Sequence, residues 1–166
     1  GSVITATGAG GITINGKFRN NSGLIDGTKY TFNNNPSISD SGWTGAGTID
    51  AQVVFNSGTK VNALANMTMG DGSNFGVTFN AGSELHADTR TITLRDGNGV
   101  GLPSITDMSG GHVVCAQPLT VNSGRRLSGR GGSVDTPTLT VFGRISPGEL
   151  IGVPLGETGE LTINGD

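Results

Sequence analysis

Residues 54–61 read VFNSGTKV, and the same form returns at 78–85 (TFNAGSEL) and at 120–127 (TVNSGRRL). Each copy closes an apolar run, then places Asn, a small residue and Gly in that order, then resumes with an apolar residue. Asn and Gly tolerate positive φ and mark a sharp turn. The residues before them, an apolar–Thr–apolar triplet or a close variant, alternate with the period of a strand. Strand, tight turn, strand is therefore the local rule.

Tracing the triplet outward gives a ladder: ITING at 12–16, YTFNN at 30–34, VVFNSG from Val53, VTFNAG from Val77, LTVNSG from Leu119, LTVFG from Leu139 and LTING from Leu161. The second apolar residues are Ile14, Phe32, Phe55, Phe79, Val121, Val141 and Ile163, spaced by 18, 23, 24, 42, 20 and 22. The interval of 42 divides into two units of about 21, and a period of about 20–25 residues indicates a solenoid. Units that small cannot bury their own apolar face and must stack. GLID and GTID (23–26 and 47–50) lie 24 apart, and MTMGDG and ITLRDG (67–72 and 92–97) lie 25 apart, so a second ladder keeps the same step. A further apolar position follows the turn at Val61, Leu85 and Leu127, with Phe18 and Ile145 as its equivalents after shorter turns. A second strand per coil starts there. No segment combines helical spacing with caps. The pattern predicts an all-β chain: a single-stranded parallel β-helix (β-solenoid) of about seven coils of 20–25 residues, a rod roughly 35 Å long at about 4.8 Å per coil. Asn at one position of every coil can then bond to its copies above and below.

Two segments break the ladder. Residues 32–47, FNNNPSISDSGWTGAG, hold the only Trp and read as a loop bulging from the rod. Residues 95–112, RDGNGVGLPSITDMSGGH, read as a second irregular patch. Loops on a rigid scaffold are where binding usually resides.

Composition narrows the function. The 166 residues carry 14% charged side chains and a net charge of −3, with no basic surplus for nucleic acid. No apolar run approaches the roughly 20 residues needed to span a bilayer as a helix. A lone cysteine, Cys115, excludes an internal disulfide and a cysteine zinc cage; among apolar neighbours it reads as a buried thiol. Gly1-Ser2 reads as a cloning scar, and residues 1–166 as one solenoid segment of a larger protein.

The stretch 139–166, LTVFGRISPGELIGVPLGETGELTINGD, resembles the repeats of exported bacterial surface proteins, the autotransporter passenger domains and β-strand-repeat proteins, through Ile145-Ser146-Pro147-Gly148 and Gly159 to Gly165. That resemblance implies a parallel β-helix of an extracellular protein, secreted or on the bacterial cell surface. Such proteins are often adhesins or stalks. It implies neither catalytic residues nor a cofactor, and partners among glycans, host or cell-surface components and the rest of the parent protein.

Candidate sites are few. Asp26 and Asp50 fall one coil apart, a separation that suits a retaining glycosidase or a calcium site; their plainer reading is turn residues bonded to local backbone. Trp43, in a Gly/Ser/Thr-rich loop, is the candidate aromatic for glycan binding, with Asp50 and Asp26 beside it. GDGSN (70–74) and RDGNG (95–99) read as Asp-Gly turns; neither has EF-hand spacing. His86 and His112 stand outside any nucleophile or metal motif and read as surface or satisfied histidines. Thr13, Thr31, Thr78, Thr120, Thr140 and Thr162 share an outward position interrupted by Val54. Asn15, Asn33, Asn56, Asn80, Asn122 and Asn164 stand two residues on. A flat Thr/Asn face could order water, as ice-binding solenoids do, although Thr is also simply a good strand residue. The expectation is a non-catalytic structural or adhesive segment; a carbohydrate-binding or polysaccharide-degrading β-helix is the alternative, and an ice-binding face a third reading.

Overall fold

The computed structural model describes residues 4–6, 10–148 and 159–165. Gly1-Ser2 and the spacer 149–158 lie outside them. Among the described residues every strand pairing is parallel and there is no helix. The chain winds into a β-solenoid of about six turns.

Each turn crosses three faces. The 14-residue strand Gly42–Phe55 shows the whole circuit. Its first part pairs with Lys17–Asn20 on what we call face 2, its middle with 24–26 on face 3, and its end with 29–32 on face 1. On the other side its three parts meet Lys60–Met69 and Val77–Phe79. Corners are taken at register shifts, one between Asp26 and Lys29 and one between Gly45 and Gly47.

The recurring NSG motif is the corner between faces 1 and 2. Asn56 accepts the Thr59 amide at 3.1 Å, and Gly58 sits at φ +77. That is an i→i+3 β-turn whose third residue needs the left-handed region. Asn80–Ser83 and Asn122–Arg125 repeat the bond, at 3.1 and 3.0 Å, and the Gly58 amide donates to the Gly82 carbonyl one coil on.

Inside, four files of side chains run along the axis, one each on faces 1 and 2 and two on face 3. On face 1, Ile14, Phe32, Phe55 and Phe79 pair in register, as expected. Phe32 and Phe55 stack at 4.9 Å between ring centroids, and Phe55 and Phe79 at 5.2 Å, nearly the coil spacing itself. On face 2, Phe18, Trp43, Val61, Leu85, Thr106, Leu127 and Ile145 form one file, which contains all five residues expected to open a second strand. On face 3, Ile25, Ile49, Met69, Leu94 and Cys115 align. Beside them run Met67, Ile92, Val113, Val134 and Ile163. Cys115 is buried, as read from its neighbours.

Three expectations are corrected and one is refined. The loop at 32–47 shrinks to 34–41, and Trp43 is fully buried in the face 2 file because the strand already begins at Gly42. The patch at 95–112 is irregular, as expected, with most of its residues outside strands, yet it keeps to the path of the coil. Val100–Gly101 pairs with 119–120, the buried Leu102 donates its amide to Thr120 at 2.8 Å, and Ile105–Asp107 continues face 2. These strands of two and three residues, flanked by Gly and Pro, are too short to display alternation. Ile163, Thr162 and Asn164 belong to face 3, paired with Val134, Ser133 and Asp135, and not to the face 1 columns. Finally, inward burial fails at the last coil: Val141 and Ile163 are 41% and 43% exposed.

Candidate functional site

The outer surface carries three polar constructions. On face 1 the asparagines form the ladder that their spacing predicts, but only through four coils. Asn33 donates to Asn15 at 2.8 Å, Asn56 to Asn33 at 2.7 Å, and Asn80 to Asn56 at 2.6 Å. Each amide is donor and acceptor at once, so a stack of them satisfies itself. The ladder halts where Pro103 takes the next place; Asn164 instead donates to Asp135 on face 3, at 2.6 Å.

On face 2 the equivalent column is ionic. Asp40 lies 3.5 Å from Lys17 and 3.9 Å from Lys60; Lys60 lies 3.3 Å from Glu84. Glu84 accepts from His86 at 2.9 Å, and His86 approaches Asp107 at 3.9 Å. Burial opposes the charge on Glu84, yet the His86 hydrogen bond and the Lys60 ammonium outweigh it and hold its carboxyl below the ordinary range. His112 meets Asp135 at 2.8 Å. The hydrogen bond from Asn164 and the nearby His112 lower the Asp135 carboxyl. Both histidines are thus paired with carboxylates.

On face 3, Asp26 and Asp50 are register partners, one coil apart, as their spacing implies. Their surroundings are open. Arg95 reaches across the intervening coil at Gly70 to pair with Asp50 at 3.0 Å, and both of those side chains are 42% exposed. The Asp26 carbonyl takes the Tyr30 hydroxyl at 2.9 Å; burial first, then the Asp26 charge, raises the Tyr30 phenol above its ordinary value. The Trp43 ring, with no exposed surface, lies in the core and cannot join the two aspartates as a platform. Asp71 and Asp96 are turn residues: Asp71 accepts the Ser73 amide at 2.9 Å, and buried Asp96 accepts three amides, those of Val77, Asn98 and Gly99. No group of three or more His, Cys, Asp or Glu among the described residues is arranged to hold a metal.

Two concavities stand out. One, of about 340 Å³, lies near the C-terminal end beside Cys115, Asp135, Thr136 and Asn164. Its thiol is 2% exposed and pushed up by burial, so it is poorly ionised. The other, of about 200 Å³, is a groove on face 1 lined by Phe75, Thr78, Gly101, Asn122 and Arg125. Sequence reasoning missed it. The signal was available: Phe75 is an aromatic in a run of turn formers, the argument that was applied to Trp43, and Gly101 interrupts the outward Thr rank between Thr78 and Thr120.

No protein-family model, no curated protein and no solved structure matches this chain.

Proposed function

We propose that this chain is a non-catalytic structural rod, a segment that spaces or displays other parts of a bacterial extracellular surface protein. The observation that supports it most is the in-register stack. Parallel pairing runs from coil to coil along faces 2 and 3 and, on face 1, in two stretches, one ending at Val77–Phe79 and one starting at Val100–Gly101, backed by the phenylalanine file and the asparagine ladder. Such a stack transmits load along faces 2 and 3 through continuous backbone hydrogen bonds, and needs no reactive group to do so. The extracellular assignment rests on the resemblance carried by 145–148 and 159–165. Incubation with acidic and neutral polysaccharides should yield no new reducing ends or unsaturated products. Turnover abolished by Asp26→Asn or Asp50→Asn would overturn the reading in favour of a polysaccharide-degrading enzyme.

A further inference from the structure

We propose that the face 1 groove binds an acidic sugar residue of a polysaccharide. The inference stands on observations separate from those behind the rod.

Phe75 is the starting point. Its side chain is 72% exposed, the highest of the large apolar residues described, and its backbone sits at φ +68. A bulky residue rarely adopts that conformation, whereas glycine does so freely. The position therefore disfavours folding twice, by exposing a ring and by straining the chain, and the ring supports no core file in return. Strain retained at an exposed position points toward function.

The second observation is the notch. Thr78 and Thr120 face outward on either side of Gly101, whose backbone is not in the left-handed region and would accept a side chain. A Cβ there would come within 2.8 Å of Asn122 Nδ2 and 3.8 Å of an Arg125 guanidinium nitrogen. The missing side chain is what leaves the groove open.

The third is Arg125. One of its guanidinium nitrogens donates to the Phe79 carbonyl at 3.1 Å, to the Gly101 carbonyl at 3.4 Å, and to the Leu102 carbonyl. The head is thus anchored to the edges of two coils, and no carboxylate among the described residues pairs with it. A fixed cation with no counter-ion among the described residues lines the groove.

Together these groups match a carboxylated pyranose. The Phe75 ring offers a flat apolar face for the C–H side of the sugar. The Asn122 amide offers a donor and an acceptor to neighbouring hydroxyls, and Thr78 a hydroxyl. Arg125 supplies the charge for a uronate carboxylate. A volume near 200 Å³ is below the ~300 Å³ and more usual for drug-sized ligands, and leaves room for one sugar ring with the chain leaving along the open surface. Nucleic acid is disfavoured, because tight phosphate-backbone binding draws on several cations and the groove holds one, Arg125.

The test is a calorimetric and amide-NMR titration with a galacturonate trimer, a neutral galactose trimer and a short single-stranded oligonucleotide. The galacturonate trimer should bind and shift the amides of Thr78, Gly101 and Asn122, with the neutral trimer at least tenfold weaker. Gly101→Thr, which refills the Thr rank, should abolish binding with the thermal midpoint kept. Phe75→Gly should abolish binding and raise the midpoint, whereas a purely structural Phe75 would lower it. Absent binding at millimolar trimer, equal binding by the two variants, equal affinity for the neutral trimer, or tighter oligonucleotide binding would each overturn the proposal. Binding without cleavage leaves the rod reading intact; cleavage would overturn the rod and not the site.

Discussion

Faces 1 and 2 of the rod solve the same problem with different chemistry. Both bury a file of large side chains and both line up polar groups outside it. Face 1 holds its outer column with neutral amides, each bonded to the next at 2.6–2.8 Å. Face 2 uses carboxylates, lysines and His86 in contacts of 2.9–3.9 Å. Their interiors differ too. The face 1 file is uniformly apolar, whereas Trp43 Nε1 and Thr106 Oγ1 on face 2 are buried without a hydrogen-bond partner among the described residues. An uncompensated buried polar atom is costly. The contrast teaches that stacking geometry, not any one chemistry, selects the outer residues. Whatever repeats at the coil spacing and satisfies its own copies will serve.

The comparison breaks first in the interior. Phe55→Ala should cost roughly 3–5 kcal/mol, because Phe32 and Phe79 are held by their own coils and cannot collapse into the gap. Urea midpoints measure it, with Thr78→Ala as the outward control, expected to lose under about 0.5 kcal/mol. Equal losses would mean that inside and outside are misassigned.

Next comes the amide ladder. Asn56→Ala removes two ladder bonds and should cost about 1–2 kcal/mol. That loss should be unchanged between low and high salt, since no net charge is involved. A loss that vanishes in salt would erase the distinction between the faces.

The ionic column should give the smallest effect. Glu84→Gln should cost under about 1 kcal/mol, because the side chains around it are partly exposed and screened. It should also alter the acid limb of stability. The folded carboxyl titrates below its ordinary value of 4.5, so its contribution is present above that pH and fades as pH falls through the lower folded value. The wild type should therefore lose more stability than Glu84→Gln below about pH 4.5, and 1 M salt should shrink the difference. Identical acid limbs would show that the column contributes nothing.

How much of this was legible follows from what a strand triplet can encode. The NSG turns label the corner between faces 1 and 2, so Phe55, Phe79 and Val121 on one side, and Val61, Leu85 and Leu127 on the other, could be placed from sequence. Nothing comparable labels the other corners. Apolar–Thr–apolar looks the same on every face, and Leu161-Thr162-Ile163 was therefore assigned to face 1 when its strand pairs on face 3. Coil length could not correct the error, since Phe18 to Trp43 takes 25 residues and Trp43 to Val61 only 18. Leu102 was hidden between Gly101 and Pro103, and Trp43 was misjudged because turn formers precede it up to the residue where its strand begins. The groove escaped notice because it is made of an absence, the missing side chain at Gly101, flanked by residues from three separate coils.

The central claim is that the chain advances one coil spacing at every turn, including the turn through Gly101 and Leu102. Nitroxide pairs on the outward face 1 rank test it most directly, by pulsed electron-spin distances between positions 31 and 120 and between 31 and 140. Counting coils along face 1, with the step from Thr78 to Gly101 taken from the Leu85–Thr106–Leu127 pairing on face 2, gives four spacings to Thr120 and five to Thr140, so the backbone separations should be about 19 and 24 Å at 4.8 Å per coil. If residues 80–119 were an excursion instead of a full coil, each distance would fall by one spacing, to about 14 and 19 Å.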